Sequence, residues 1–213
     1  MAADLSGAAD LSVTTGAGTT SALTWTSLPT PIGALVVVVS EVGIVASGFT
    51  EEPQLFVDRE QDRLGRAATR NDRQLASVRR EAREYLAQGL PQLRSPVDLG
   101  SATPFTRAVW TATMAVPPGE LRTYGDIAAA AGHPRAWRAA GHALRRCPIE
   151  LWIPCHRVVP AGPGLGDYGG RPDVRAFLLD LEGSLPVSSA SRLRPRARAS
   201  GDDRAGRSAA PAG

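Results

Sequence analysis

Thr123-Tyr124-Gly125-Asp126-Ile127-Ala128-Ala129-Ala130-Ala131-Gly132-His133-Pro134 is the stretch on which the fold turns. Thr123 and Asp126 have the spacing of a capping box and open a short alanine-rich helix. Gly132 stops it, and His133-Pro134 restarts the chain as another helix over about residues 135–146. Two short helices joined in this way carry the punctuation of a helix-turn-helix. Many plain helical folds carry it too, so the pair alone does not assign nucleic-acid binding.

Outward from this centre the pattern changes twice. Upstream, Thr103-Pro104 caps a helix from Phe105 to Val116 that closes at Pro117-Pro118-Gly119. Downstream, residues 160–170 are dense in glycine and read as a tight loop. Val174, Phe177, Leu178 and Leu181 then line one face of a last helix, ended by Gly183. Far upstream, Ile32 to Val39 and Ile44 to Phe49 read as a hairpin turned at Glu41-Val42-Gly43. Residues 51–73 are charge-rich and show no clear period. Leu75, Val78, Ala82, Tyr85 and Leu86 recur at helical spacing up to Gly89, and Val97 and Leu99 alternate as a third strand.

The expected fold class is therefore α/β (α+β). A small N-terminal antiparallel-sheet unit with helices precedes a helical C-terminal domain of winged helix-turn-helix type. The expected boundaries are a disordered tail over 1–23, an α/β domain over 24–100, the C-terminal domain over 101–185, and a disordered basic tail over 186–213.

The chain has 213 residues, 43% hydrophobic and 21% charged, with a formal charge of +3, as expected of a globular protein. All 24 basic side chains are arginine, which forks onto phosphates and stacks on bases, yet so small a net charge is weak support for nucleic acid. The two cysteines, Cys147 and Cys155, read as free thiols of a reducing cytoplasm rather than as a disulfide scaffold. The first residues lack the basic start and apolar core of a secretory signal, and the longest apolar run, Ile32 to Val39, is too short to span a membrane. No membrane association is expected.

Chemistry concentrates in Ile153-Pro154-Cys155-His156-Arg157-Val158-Val159. A cysteine beside a proton acceptor is how a protein makes one strong sulfur nucleophile, because the thiolate attacks and a free thiol has a pKa of about 8.5. On an extended segment Cys155 and His156 would point to opposite sides, so a direct pair is not guaranteed; if the local backbone turns, a water could carry the proton between them. Glu182, in the last helical turn, is disfavoured there by the helix dipole; a role orienting His156 would explain that cost, while by itself it reads as an exposed surface residue. The cysteines and His156 lack the paired short spacings of a zinc site, and a papain-like signature is absent. No metal or cofactor is expected. Trp137, Ala140, Gly141 and Leu144 share one helical face, which would make Trp137 a core anchor.

These segments carry a family resemblance. Ile153 to Val158 resembles the active-site motif of the O6-alkylguanine-DNA alkyltransferases, also called methylated-DNA–protein-cysteine methyltransferases. Phe105 through Trp110, Pro117-Pro118-Gly119-Glu120, Thr123 to Ala128, Arg138-Ala139-Ala140-Gly141 and Leu178 to Gly183 match further blocks in family order. The likeness is strong over about residues 103–183 and loose before them. So coherent a series is far more specific than any one motif.

The resemblance implies DNA repair. Cys155 would accept the alkyl group of O6-alkylguanine, and also of O4-alkylthymine, and the stable thioether would make each molecule act once. His156 would generate the thiolate through a water, Glu182 would hold the imidazole, and Tyr124 would protonate the leaving guanine. Arg138 would fill the base stack emptied by flipping, on a helix set in the minor groove. Ala136, Ala139, Gly141, Thr123 and Arg145 would share that DNA contact, and Val158, Tyr168, Gly169, Trp110 and Leu144 would form the base pocket. The implied partner is double-stranded DNA holding the lesion, met by a monomer with no obligate protein partner. The chain departs from the family at Cys147, where an asparagine usually braces the active-site loop, and at Trp137 and His142, where small residues usually stand; if Trp137 faces DNA rather than the core, it would crowd the groove or act as an apolar wedge. Gly169 stands where some members have serine. The alternative function is a relative that senses alkylated DNA without repairing it; such relatives replace the cysteine, which this chain keeps.

Overall fold

The computed structural model describes residues 13–14, 21–89 and 93–185. The expected C-terminal tail and most of the N-terminal one lie outside the described residues. The strands are β1 (Val13–Thr14), β2 (Leu23–Leu28), β3 (Ala34–Val39), β4 (Ile44–Thr50), β5 (Ala68–Arg70), β6 (Val97–Asp98), β7 (Arg122–Thr123) and β8 (Val158–Val159). The helices are α1 (Pro53–Leu64), α2 (Ala76–Gln88), α3 (Pro104–Met114), α4 (Tyr124–Ala130), α5 (Trp137–Arg145) and α6 (Pro172–Leu181).

The first six strands form one sheet in the order β1-β6-β4-β3-β2-β5. Its centre, β2-β3-β4, is antiparallel, as the hairpin reading expects. Its edges are parallel, so the sheet is mixed rather than antiparallel throughout. Two strands correct the sequence reading: β2 begins at Leu23, and β1 lies inside the stretch expected to be a disordered tail. Residues 51–73, which showed no period, hold α1 and β5.

Why β3 is an unbroken apolar run is now plain. Leu35 and Val37 point into one core cluster and Val36 and Val38 into another, and all four are fully buried. A strand covered on both faces loses its polar alternation. Val57 of α1 closes the smaller cluster with Leu23 and Trp25. The larger one runs from the sheet through Tyr85 of α2 into Val109 and Trp110 of α3, Ile127 of α4, Leu144 of α5 and Leu178 of α6. One apolar core thus joins the two expected domains, each such buried side chain contributing roughly 1.5–3 kcal/mol.

The C-terminal helices follow their punctuation. Thr103 caps α3, its hydroxyl accepting the Thr106 amide at 3.3 Å. Thr123 and Asp126 form the expected capping box on α4: the Thr123 amide donates to Asp126 at 2.7 Å and the Asp126 amide to the Thr123 hydroxyl at 3.1 Å. These hydrogen bonds hold the Asp126 carboxyl below the usual range. Gly89, at φ 67°, caps α2 where an added Cβ would overlap the Leu181 carbonyl oxygen at the end of α6. That close approach admits only glycine and seats α6 against the N-terminal unit.

Candidate active site

Cys155 opens a 3-10 turn, Cys155–Arg157, not the extended segment expected from sequence. The Cys155 amide donates to the Ile153 carbonyl at 2.7 Å, and the Arg157 amide to the Pro154 carbonyl at 2.9 Å. This tight turn directs three adjacent side chains into the protein: Cys155, His156 and Arg157 are 8%, 0% and 3% exposed. The preceding loop is pinned by the sheet. Ser47 of β4 donates its amide to Pro148 at 2.9 Å and its hydroxyl to the Glu150 carbonyl at 2.6 Å, and the Glu150 amide returns to Ser47 at 3.0 Å. Cys147 donates its amide to the Leu144 carbonyl at 3.1 Å and adds a long S–H contact to the Ile149 carbonyl, at 3.6 Å. Leu151, buried, holds a left-handed φ of 74°, local strain of the kind that a well-fixed site retains.

Behind Cys155 lies a closed polar network. The Glu182 side chain is fully buried, so the exposed-surface reading of this residue is wrong. Its carboxylate accepts from the Tyr85 hydroxyl, from His156 Nε2 at 3.0 Å, and from Arg157 Nε at 3.1 Å and Nη2 at 2.7 Å. Arg157 Nη1 continues to the Val116 carbonyl at 2.5 Å. Burial works to raise the Glu182 pKa, but hydrogen bonds from His156 and Arg157 and the Arg157 charge outweigh it and hold the carboxyl at about 2. For His156 the balance is opposite: burial lowers its pKa despite the carboxylate. The imidazole is therefore neutral, and its contact with Glu182 is a hydrogen bond rather than an ion pair. An ionised Glu182 only accepts, so the ring proton sits on Nε2 and the lone pair on Nδ1, which is buried with no partner among the described residues.

In front of Cys155 is a cavity of about 470 Å³. Its wall includes Tyr124, Arg138, Gly141, Leu144, Arg145, Tyr168 and Gly169, all expected site residues, together with Cys147 and Glu150. The Cys155 thiol is pushed up by its contact with the Cys147 thiol, by burial and by the Glu150 charge, against a pull from Arg175. Burial pushes the Glu150 carboxyl itself up to about 7, though the Phe49 amide and Arg171 draw it down. Arg175 of α6 is 2% exposed and ties the wall together. It donates to the Leu165 carbonyl and, at 3.1 Å, to the Val158 carbonyl, and lies 4.9 Å from the Tyr168 ring centroid.

The outer rim is α5. Ala140, Ala143 and Leu144 are buried, while Arg138, Ala139, His142 and Arg145 face out. Trp137 is 49% exposed, which overturns its reading as a core anchor. The Arg138 guanidinium stacks 4.6 Å from the Trp137 ring centroid, an arrangement that steadies a long side chain at a surface.

Not every expected site residue meets the cavity. Trp110 and Val158 do not line it. The Trp110 indole donates to the Ala143 carbonyl at 3.0 Å within the core, and Val158 is fully buried with its carbonyl held by Arg175. Thr123 spends its side chain on the α4 cap. A Cβ on Gly141 would lie 3.6 Å from the Tyr124 ring, so Gly141 faces Tyr124 rather than the outside. Ala136 is half-buried at the start of α5. The sequence reading gave no role to Tyr85, Glu150 or Arg175. Tyr85 looks like one more apolar position of α2, and no spacing links the other two to Cys155. Arg157 was visible as a charge in the motif, but not as buried.

Known proteins match the chain in the same regions. The family model "6-O-methylguanine DNA methyltransferase, DNA binding domain" matches residues 104–184. The constitutive methylated-DNA–protein-cysteine methyltransferase of Bacillus subtilis is 33% identical over 159 residues, 74% of this chain and 94% of that protein. The Methanosarcina acetivorans enzyme of that name is 49% identical over 82 residues, 38% of this chain and 53% of its own length. The crystal structure of Mycobacterium tuberculosis OGT in complex with DNA superposes with a TM-score of 0.62 at 29% identity, covering 76% of this chain and 93% of that one. Fold and matches together define a methyltransferase with a DNA-binding domain. This chain belongs to the methylated-DNA–protein-cysteine methyltransferase family. Among the described residues no helix is long and apolar enough to cross a membrane.

Proposed function

We propose that this protein repairs O6-alkylguanine in duplex DNA, and O4-alkylthymine by the same route, by moving the alkyl group irreversibly onto Cys155. The observation that carries the reading is the continuity from the basic outer face of α5, through the cavity, to Cys155 and the neutral His156 behind it. The burial of Cys155 means that a paired base must leave the stack to reach it. Arg138, at the rim and stacked on Trp137, fills the vacated place from the minor-groove side. Ala139 and Arg145 share the DNA contact.

The thiol in place is protonated, so reaction needs a base. His156 Nδ1 takes the Cys155 proton through a water, and Glu182 keeps Nε2 protonated and stabilises the imidazolium that forms. The sulfur attacks the alkyl carbon from the side opposite O6. The S–C bond forms, the C–O6 bond breaks and its electron pair passes to the purine. Tyr124, in the cavity wall, gives the purine a proton so that neutral guanine leaves, and the imidazolium proton restores the phenol through solvent. Tyr168 and Gly169 border the extruded base. The thioether has no leaving group to regenerate the thiol, so one molecule repairs one lesion.

The test is mass spectrometry after incubation with a duplex carrying labelled O6-methylguanine. One methyl group per protein on the peptide containing Cys155, absent in Cys155→Ala, is the expected result. Lesion-selective binding with that peptide unmodified would sink the proposal and favour a sensor.

A further inference from the structure

We propose that Cys147 and Cys155 form a redox-active thiol pair that peroxide closes to a disulfide, reversibly sheltering the alkyl acceptor. The pair is a feature of this chain, since the family resemblance expects an asparagine at position 147. Both residues are free thiols and both line the same cavity. The Cys147 thiol is near enough to push the Cys155 thiol up. Cys147 lies half-buried just beyond α5 and packs against the core cluster that contains Cys155. Its thiol is otherwise held only by the long contact to the Ile149 carbonyl, so it is free to turn. A disulfide needs its sulfurs about 2 Å apart, so closure requires the Cys147 side chain to turn towards Cys155 across the cavity wall they share.

Peroxide entering the cavity meets the half-exposed Cys147 first. Its thiolate attacks the O–O bond, gaining oxygen as a sulfenic acid while the released hydroxide takes up a proton to become water. The Cys155 sulfur displaces the hydroxyl from Cys147, and that hydroxyl leaves with the Cys155 thiol proton as a second water. The two sulfurs lose two electrons and the peroxide gains them. A dithiol reductant reverses the change. A lone Cys155 carried to the sulfinic acid could not be recovered in this way. In a reducing compartment such a disulfide is transient, which suits a sensor of oxidant rather than a structural bond.

The effect on repair rests on the reading of Cys155 as alkyl acceptor, but the bond itself can be read without DNA. Trypsin cuts after Arg146 and Arg157, so one peptide, residues 147–157, carries both thiols. The full chain is treated with a small excess of hydrogen peroxide, blocked with iodoacetamide and digested. The expected product is that peptide about 2 Da lighter, with no alkylated thiol. Methyl transfer should fall in parallel and return with dithiothreitol. In Cys147→Ser, no dithiothreitol-recoverable loss is expected. Free thiols throughout, a sulfinic Cys155 beside a free Cys147, or equal recovery in the serine variant would each overturn the proposal. If the disulfide forms in a protein that transfers nothing, the repair reading fails and the redox pair stands; transfer without the disulfide gives the reverse.

Discussion

The two sides of Cys155 are built on opposite principles. Behind it, Glu182, His156, Arg157 and Tyr85 form a closed polar knot from which solvent is excluded. In front, α5 offers Trp137, Arg138, His142 and Arg145 to solvent, joined to one another only by a stacking contact. The rear side is costly to disturb because every buried charge there has a partner that would be left alone. The front side is cheap to disturb, since exposed side chains contribute little to folding. On the proposed reading, proton handling belongs to the first and choice of partner to the second.

The sharpest way to break this contrast is Glu182→Ala. It leaves Arg157 charged and His156 and Tyr85 unsatisfied, and should cost about 3–5 kcal/mol in chemical denaturation, together with most of the transfer rate. Acid probes the same group. Glu182 titrates at about 2 in the folded protein against 4.5 when unfolded, so its stabilisation is complete above pH 4.5 and is lost as pH falls towards 2. An acid-unfolding profile equal in the parent and Glu182→Ala would contradict the network.

Glu150 lies where the two sides meet. Its folded pKa, about 7, stands above the unfolded 4.5, so folding is disfavoured as pH rises through that interval. Glu150→Gln should stabilise the protein at pH 8 by on the order of 3 kcal/mol and leave it unchanged at pH 4. It should also lower the Cys155 pKa at pH 8, seen as faster thiol alkylation by iodoacetamide, because the carboxylate charge pushes that thiol up. At the front, Arg138→Ala should slow repair of duplex DNA on the order of tenfold, about 1.4 kcal/mol, and spare reaction with free O6-benzylguanine. Equal loss on both substrates would remove its role in flipping. Trp137→Ala is the mildest: a stability change within about 0.5 kcal/mol by thermal melting, and duplex affinity weakened by less than about 1 kcal/mol as Arg138 loses its platform.

The same contrast explains what could be read from sequence. The helix punctuation of the C-terminal half is local, so α3, α4 and α6 and the capping box were visible in single residues such as Thr103, Thr123 and Gly183. The outward α5 positions Arg138, Ala139 and Arg145 came from the family resemblance rather than from local pattern. Trp137 was misread because its spacing matches the apolar stripe, and only the exposed ring distinguishes it. The rear network was hidden because its partners come from distant chain: Tyr85 and Glu182 are far apart in sequence, and nothing local announces that they meet. Residues 51–73 hid α1 because that helix buries only Val57, too little for a periodic signal. The resemblance supplied the pairing of His156 with Glu182, which the residues alone left as a surface position.

Glu182 also gives the site a chronology. Tyr85 comes from the sheet unit, His156 and Arg157 from the turn after α5, and the carboxylate itself from the far end of α6. During synthesis, Cys155 emerges well before residue 182. Until α6 docks against Gly89, His156 has no carboxylate to fix its tautomer, and the thiol is an ordinary cysteine. Docking of α6 brings two things at once, the carboxylate to His156 and Arg175 to the cavity wall.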